Sequence, residues 1–328
     1  MEGSIIRVGD KIQTNVQLID TQTGGHIWAD RFESDITDLF AMQAAVTGRI
    51  AATLHIQLVK AEGERATRLT TTKPDAVDLR LRAMALYISG VTPAHTLEAR
   101  RLLEASARLD PSSGETWAWL AEIVVTQYMH RWNETGREDL KEADDAVVKA
   151  LAIDAKIAQA YYAKGLIHRA NGQHNAALEA FTQAVELDPN LPRALAEKAN
   201  QLTLLGRPAE VPQLVEKAVK LSPHDPSLGG MYWIIGRAHF VSGDYPNAIV
   251  WLQKSVALRS NDWINRAFLV SAYALDHQET EAKKAFQEFI HNPRFAGYTL
   301  QQVAEGEKAS PNDNPVIVAA RQKLHEGL

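Results

Sequence analysis

Eleven histidines, forty acidic residues and no cysteine bound the chemistry open to this 328-residue chain. Without cysteine there is no disulfide, no thiolate metal site and no cysteine nucleophile. His168 and His174 stand six apart, across a helix end and the next turn. No third ligand follows at a matching spacing, so they read as a surface pair rather than a metal site. His224-Asp225 sits in a proline-flanked loop and reads as a solvated turn. Asp144-Asp145 and the pair Glu62 and Glu64 read as solvated acids of a helix and a linker, since acid–base work needs an enclosing pocket. Gly24-Gly25 is too short to cradle a phosphate and reads as a hairpin turn. There is no His-Glu-x-x-His pattern and no nucleophile elbow. The expectation is a chain with no catalytic residue, no cofactor and no metal.

A second set of residues suits binding rather than reaction. Tyr162 and Trp233 offer aromatic faces, Arg169, Arg193 and Arg237 offer guanidinium forks, and Asn200 offers an amide. That mixture suits an extended peptide with acidic or C-terminal carboxylate character. Two readings stand for each of the six: contact with a partner, or packing against neighbouring helices and water. Trp132, in the segment Tyr128-Met129-His130-Arg131-Trp132, is a further contact or an anchor that pins its own loop.

The elements that must position these residues come from a repeat. In the segment 158–189 the marker positions are Gly165, Ala177, Phe181, Ala184 and Pro189. Thirty-four residues further on they become Ala199, Val211, Val215, Ala218 and Pro223, and thirty-four earlier the last four become Ala143, Val147, Ala150 and Ala155. A small or apolar residue is kept at each, and the period is that of the tetratricopeptide repeat, a two-helix hairpin. Small residues let antiparallel helices approach, with Gly165 and Ala177 expected at the crossing. The closing proline cannot continue a helix. Asn171-Gly172 suits a left-handed helix end. Further copies cover Arg80–Pro111, Gly114–Ala155 with an insertion around Gln127–Asp139, Gly229–Ser260 with three extra residues absorbed at Ser222–Pro226, and Trp263–Arg294. Leu-Asp-Pro closes two of them, at Leu109-Asp110-Pro111 and Leu187-Asp188-Pro189. The first helix of each unit is expected to line a concave face. That puts Gln159, Tyr162, Leu166 and Arg169 on it, then Arg193, Ala196, Asn200 and Thr203, then Gly230, Trp233, Arg237 and Phe240.

The first sixty residues have another period. Ile12, Thr14, Val16 and Leu18 alternate with polar neighbours, which predicts a half-buried strand. Ser4–Val8 precedes it across Gly9-Asp10, a hairpin signal, and Thr21–Gly25 turns into a third strand, His26–Phe32, with Trp28 and Phe32 on one face. Leu39, Met42, Val46, Ile50 and Leu54 give one apolar stripe to a helix over 37–60. Residues 60–73 are polar and threonine-rich, a linker. At the other end, 299–308 and 315–326 read as helices that cap the array.

Several of these stretches resemble one family. Glu2-Gly3-Ser4-Ile5-Ile6-Arg7, Gln17-Leu18-Ile19-Asp20, Thr23-Gly24-Gly25-His26-Ile27-Trp28-Ala29-Asp30-Arg31-Phe32 and Asp38-Leu39-Phe40-Ala41-Met42-Gln43 are similar to a small α/β module of bacterial signalling proteins. In that family the module joins a class III adenylate/guanylate cyclase domain, or a winged-helix DNA-binding domain, to a tetratricopeptide tail. The ending Val318-Ala319-Ala320-Arg321 to Leu324–Leu328 resembles the end of such tails. The resemblance implies an upstream strand and helix of the module, and an effector domain, that are not in this sequence. The expectation is then an incomplete module whose open sheet edge recruits a strand, with a homo-oligomer formed through residues 4–32. Tetratricopeptide domains that clamp chaperone tails use a Lys-Asn-Asn-Lys-Arg set. Only Asn200 resembles a member of it.

Composition fits this picture. Hydrophobic residues make up 45% and charged residues 23%, and the net charge is −5 with no run of one sign. That disfavours a general nucleic-acid binder, which needs a basic stripe. No apolar run spans a bilayer, and no secretory signal opens the chain, so the cytoplasm is the expected location. The fold expected is mainly α: a tetratricopeptide helical-hairpin solenoid, a right-handed superhelix, preceded by a partial α/β module of a three-stranded antiparallel meander plus a helix. The expected boundaries are 1–60 for the module, 61–75 for the linker, 76–296 for about six hairpins and 297–328 for the capping helices. The function expected is a non-enzymatic interaction scaffold that binds a protein or peptide segment, with the regulatory tail of a cyclase or a transcription regulator as the alternative.

Overall fold

The computed structural model describes residues 2–8, 11–19, 24–35, 57–61, 75–132, 136–223, 225–259 and 263–291, with a few isolated positions besides. The linker at 62–74, most of the helix expected over 37–60, the turns at 9–10 and 21–23, His224 and the capping helices at 299–326 lie outside the described residues. The chain divides into two compact units, Met1–Ala163 with Leu187–Asn190, and Lys164–Glu186 with Leu191–Leu328.

The N-terminal strands form an antiparallel meander in the order β1 (Glu2–Val8), β2 (Lys11–Ile19), β3 (His26–Asp35). Val8 faces Lys11, and Thr14 faces Phe32. The alternation read from the sequence settles which face is covered. Val16 and Phe32 are 6% and 2% exposed, and the Trp28 and Phe32 rings lie 6.4 Å apart on that same face. On the other face Gln13 donates to Glu33 at 2.8 Å. Residues 57–61 are helical, and Val59 is buried.

The helices that follow alternate as first and second members of hairpins. In the first unit they are α1 (Ala76–Ser89) with α2 (Pro93–Leu109) and α3 (Gly114–Met129) with α4 (Arg137–Ile153). Next come α5 (Ala158–Ala170) and α6 (His174–Leu187). In the second unit they are α7 (Pro192–Leu204) with α8 (Val211–Leu221), α9 (Leu228–Val241) with α10 (Tyr245–Leu258), and α11 (Trp263–Leu275) with α12 (Glu279–Ile290). The helical marker positions are core: Ala143, Ala150, Ala177, Phe181, Ala184, Ala199, Val211, Val215 and Ala218 are fully buried and Val147 is 2% exposed, while the closing markers Ala155 and Pro189 are exposed. Gly165 faces the Phe181 ring, where an added Cβ would stand 2.5 Å from Cε1. Gly165 does sit at a close approach to α6, but the neighbour nearest it is the ring of Phe181 rather than Ala177.

Five hairpin turns share one hydrogen-bond pattern. At Gly172 the amides of Asn171, Gly172 and Gln173 donate to the carbonyls of Ile167, Arg169 and His168. The same triple recurs around Arg131, Gly206, Gly243 and His277. The central residue is left-handed each time, with φ of 71° at Gly172, 76° at Gly206 and 77° at Gly243. Arg131 and His277 take this conformation at 54° and 59° despite carrying a Cβ. Asn-Gly therefore signalled one turn out of five. The insertion expected around Gln127–Asp139 is narrower than its limits, because α3 runs on to Met129 and α4 begins at Arg137.

Candidate functional site

The second unit builds one face from consecutive first helices. Arg193, Glu197 and Asn200 are spaced i, i+4 and i+7 on α7, so they form a single stripe. Burial of Ala194, Leu195, Ala199 and Leu202 fixes the rotation of α7 that leaves this stripe where it is. Trp233 and Arg237 are an i, i+4 pair on α9, which is anchored through Ile234, Ile235 and Ala238.

The side chains join across helices. Arg169 Nη1 on α5 donates to Glu197 Oε2 at 2.6 Å, and Asn200 Nδ2 donates to the same oxygen at 3.1 Å. Arg237 Nη2 donates in turn to Asn200 Oδ1. The Arg237 guanidinium lies 5.5 Å from the centre of the Trp233 ring, and that ring meets Phe268 of α11 edge-on at 4.8 Å. The result is a continuous ladder, Arg169–Glu197–Asn200–Arg237–Trp233–Phe268, across four first helices. Arg169 and Glu197 keep 28% and 18% of their side chains exposed, so their attraction is less screened than at an open surface. Among the described residues this face joins the guanidiniums of Arg169 and Arg237 to one carboxylate and one amide, with Arg193 on the same stripe. Guanidinium forks match carboxylate and phosphate oxygens in geometry, and the half-buried indole adds an apolar surface.

The structure brings Arg169, Asn200, Trp233 and Arg237 into one chain of contacts, and Arg193 shares the α7 stripe. Tyr162 is only 6% exposed, within the stretch of α5 that belongs to the first unit. Asn200 itself is only 7% exposed, and several other positions expected on the face are buried, Ala196 at 4% among them. Leu166 is 5% exposed, Thr203 and Phe240 are 0%, and Gln159, at 8%, donates to Glu122. Phe240 is covered because Tyr245 and Phe268 pack on it with ring centres 5.6 and 4.9 Å away. Trp132 stacks on His130 at 4.5 Å, which favours its role as a loop anchor. The residue the sequence reading passed over is Glu197, the junction of the ladder. Its signal was present: it lies four residues after Arg193 and three before Asn200.

The first unit carries a cluster of opposite balance. Arg100 of α2 donates to Glu104 at 3.0 Å, to Glu142 at 2.5 Å and to Gln127 at 3.2 Å, and pairs with Asp139 at 3.5 Å. Burial works against the guanidinium charge, yet Glu142, Glu104 and Asp139 together hold the Arg100 pKa above its ordinary value. Beside it a half-open cleft of about 330 Å³ is lined by Glu104, Arg108, Trp117, Leu120, Asp145 and Lys149 among others. Lys149 Nζ sits 4.2 Å over the Trp117 ring. Among the described residues no group of three or more acidic or histidine side chains is placed to hold a metal ion, and no helix is long and apolar enough to cross a membrane.

Comparison with known proteins bears on the fold. The tetratricopeptide repeat family model matches residues 158–191. The chain is 32% identical over 166 residues, 51% of its length, to a protein of Rhizobium meliloti (strain 1021) whose name, adenylate cyclase 3, is itself provisional. It is 29% identical over 130 residues to the small glutamine-rich tetratricopeptide repeat-containing protein 2 of Mycosarcoma maydis. It spans 28% of the first relative and 34% of the second. Among solved structures, the anaphase-promoting-complex hetero-tetramer Cut9-Hcn1 aligns over 83% of this chain and 48% of its own with a TM-score of 0.59 at 17% identity. Pseudomonas aeruginosa pilF aligns over 71% of this chain and 99% of its own with a TM-score of 0.51 at 18% identity. These likenesses show the fold: residues 158–191 are a tetratricopeptide repeat, and the hairpins around them form a tetratricopeptide solenoid preceded by a small antiparallel sheet.

Proposed function

We propose that this protein is a non-enzymatic interaction scaffold whose first-helix groove binds an extended protein segment carrying carboxylates. The observation that carries the reading is the ladder from Arg169 to Phe268, in which guanidiniums and an indole line successive first helices. A tetratricopeptide fold is suited to protein interaction because stacked hairpins give a long recognition surface without a reaction pocket. Arg169, Arg193, Asn200, Trp233 and Arg237 hold the segment, and Tyr162 supports the helix that presents Arg169. The test is affinity capture with mass spectrometry, using the full chain and an Arg169→Ala/Arg193→Ala variant. The expected result is a set of partners held by the wild type and lost by the variant. Identical partners on both would place the binding surface elsewhere.

A second reading is favoured by the likeness to the Rhizobium meliloti protein. In it the scaffold is the regulatory tail of an adenylate/guanylate cyclase, or of a transcription regulator, and partner binding is passed to an effector domain. The reading frame upstream of residue 1 tests it. A class III catalytic domain or a winged-helix domain in frame is the expected outcome, and a frame encoding neither would remove this reading.

A further inference from the structure

We infer that Glu197 is the groove's built-in competitor, a carboxylate of the chain itself that occupies the place at Arg169 which a partner's carboxylate takes on binding. The inference rests on the reading of the groove as a binder of acidic segments, and it assigns the residue that limits how tightly such segments are held.

The geometry is that of a captured ligand. One oxygen, Glu197 Oε2, accepts from both Arg169 Nη1 at 2.6 Å and Asn200 Nδ2 at 3.1 Å. Charge-assisted donors converging on one carboxylate oxygen are what a recognition site offers to an acidic side chain or chain terminus. The carboxylate is not sealed in the core. Its side chain is 18% exposed and that of Arg169 is 28% exposed, so Glu197 has a route to water when another anion arrives. It also reaches beyond Arg169, because Asn200, which Glu197 holds through Nδ2, accepts from Arg237 through Oδ1. Releasing Glu197 therefore loosens the amide that positions the second guanidinium. Binding an acidic segment becomes an exchange of one carboxylate for another. The partner's gain at Arg169 is reduced by the Glu197 contact given up and by repulsion between the two anions at close range.

The experiment measures fluorescence anisotropy of labelled hexaglutamate and hexaglutamine peptides titrated with the full chain. Glu197→Gln removes the charge while keeping an oxygen for Asn200. It is expected to bind hexaglutamate about tenfold more tightly than wild type, with hexaglutamine changed by less than about twofold. Adding Arg169→Gln to Glu197→Gln is expected to abolish the gain. Where thermal melting shows that Glu197→Gln does not fold, Glu197→Asp, which withdraws the charge by one methylene, carries the test with an expected gain of about threefold. Wild-type binding of hexaglutamate with no gain in the substituted chain overturns the competitor role and leaves the groove reading intact. So does a gain that survives loss of Arg169. No binding of hexaglutamate by any variant overturns the groove reading itself.

Discussion

The two units solve the same problem, how to hold a charge between helices, in opposite ways. In the first, one guanidinium stands among three carboxylates: Arg100 with Glu104, Asp139 and Glu142. In the second, one carboxylate serves a guanidinium and an amide: Glu197 with Arg169 and Asn200. The first cluster ties together α2 and α4, both second helices, and contains Asp139, only 2% exposed on its side chain. The second lies on first helices, with Arg169 28% and Glu197 18% exposed, whereas Glu104 and Glu142 of the first keep 38% and 41%. What differs is the charge balance and the helices joined: a single guanidinium tied to acids on α2 and α4 in one unit, a single carboxylate tied to donors on α5 and α7 in the other.

That contrast can be broken by experiment. The largest effect is expected at Arg100. Arg100→Met leaves Asp139 buried without its cation, and urea denaturation should show a loss of about 3 kcal/mol. A loss below about 1 kcal/mol would mean that the acidic cage is not a staple. Next comes the apolar counterpart in the second unit. Gly165→Ala drives a methyl into Phe181 and should destabilise by about 2 kcal/mol, with Phe181→Leu in the same chain recovering part of it. Additive losses in that double substitution would show that the two do not touch.

Smaller effects separate the turns. Asp244 caps α10 through Asn247 N and pairs with His239 Nδ1 at 2.9 Å. Burial pushes its pKa up, but the hydrogen bonds from Asn247 and the contact with His239 outweigh this and hold it below 3.8. A depressed carboxylate contributes stability above its unfolded value of 3.8, and the contribution is lost as pH falls through the lower folded value. Asp244→Ala should cost about 1 kcal/mol at pH 7, and the gap to wild type should narrow in melts as the pH falls below the unfolded value and through the lowered folded one. The smallest change has the opposite sign. His277→Gly should stabilise by about 0.5 kcal/mol, since glycine adopts φ of 59° without strain. Unchanged melting would show that the turn hydrogen bonds already offset that strain.

Much of this was legible because period and composition are physical constraints. Small residues every thirty-four positions can only serve a close helix crossing, and alternation in Ile12–Leu18 can only serve a half-covered strand. Burial on the first-helix face was harder to read. Leu166, Thr203 and Phe240 occupy positions a spacing rule assigns to the groove, yet all three are buried, Phe240 within a cluster that includes Phe268 and Tyr273. Spacing gives the side of the helix and not what stands in front of it. Glu197 was missed for the complementary reason. A lone glutamate in a charged helix looks like a solvated residue until Arg169, twenty-eight positions earlier, is placed beside it.

The recurring turn has a consequence for how such a chain can change length. From Gly172 to Gly206 and from Gly243 to His277 the step is 34 residues, while from Gly206 to Gly243 it is 37 and from Arg131 to Gly172 it is 41. The surplus never enters the turn, whose three bonds are the same each time. It is taken up between hairpins, where Asp225 organises the crossing by accepting from Ser227, and in the segment after Arg131. A gene encoding this architecture can therefore gain or lose residues beyond the three-bond turn, whether between hairpins or ahead of a second helix as before Arg137, and keep the turn itself unchanged.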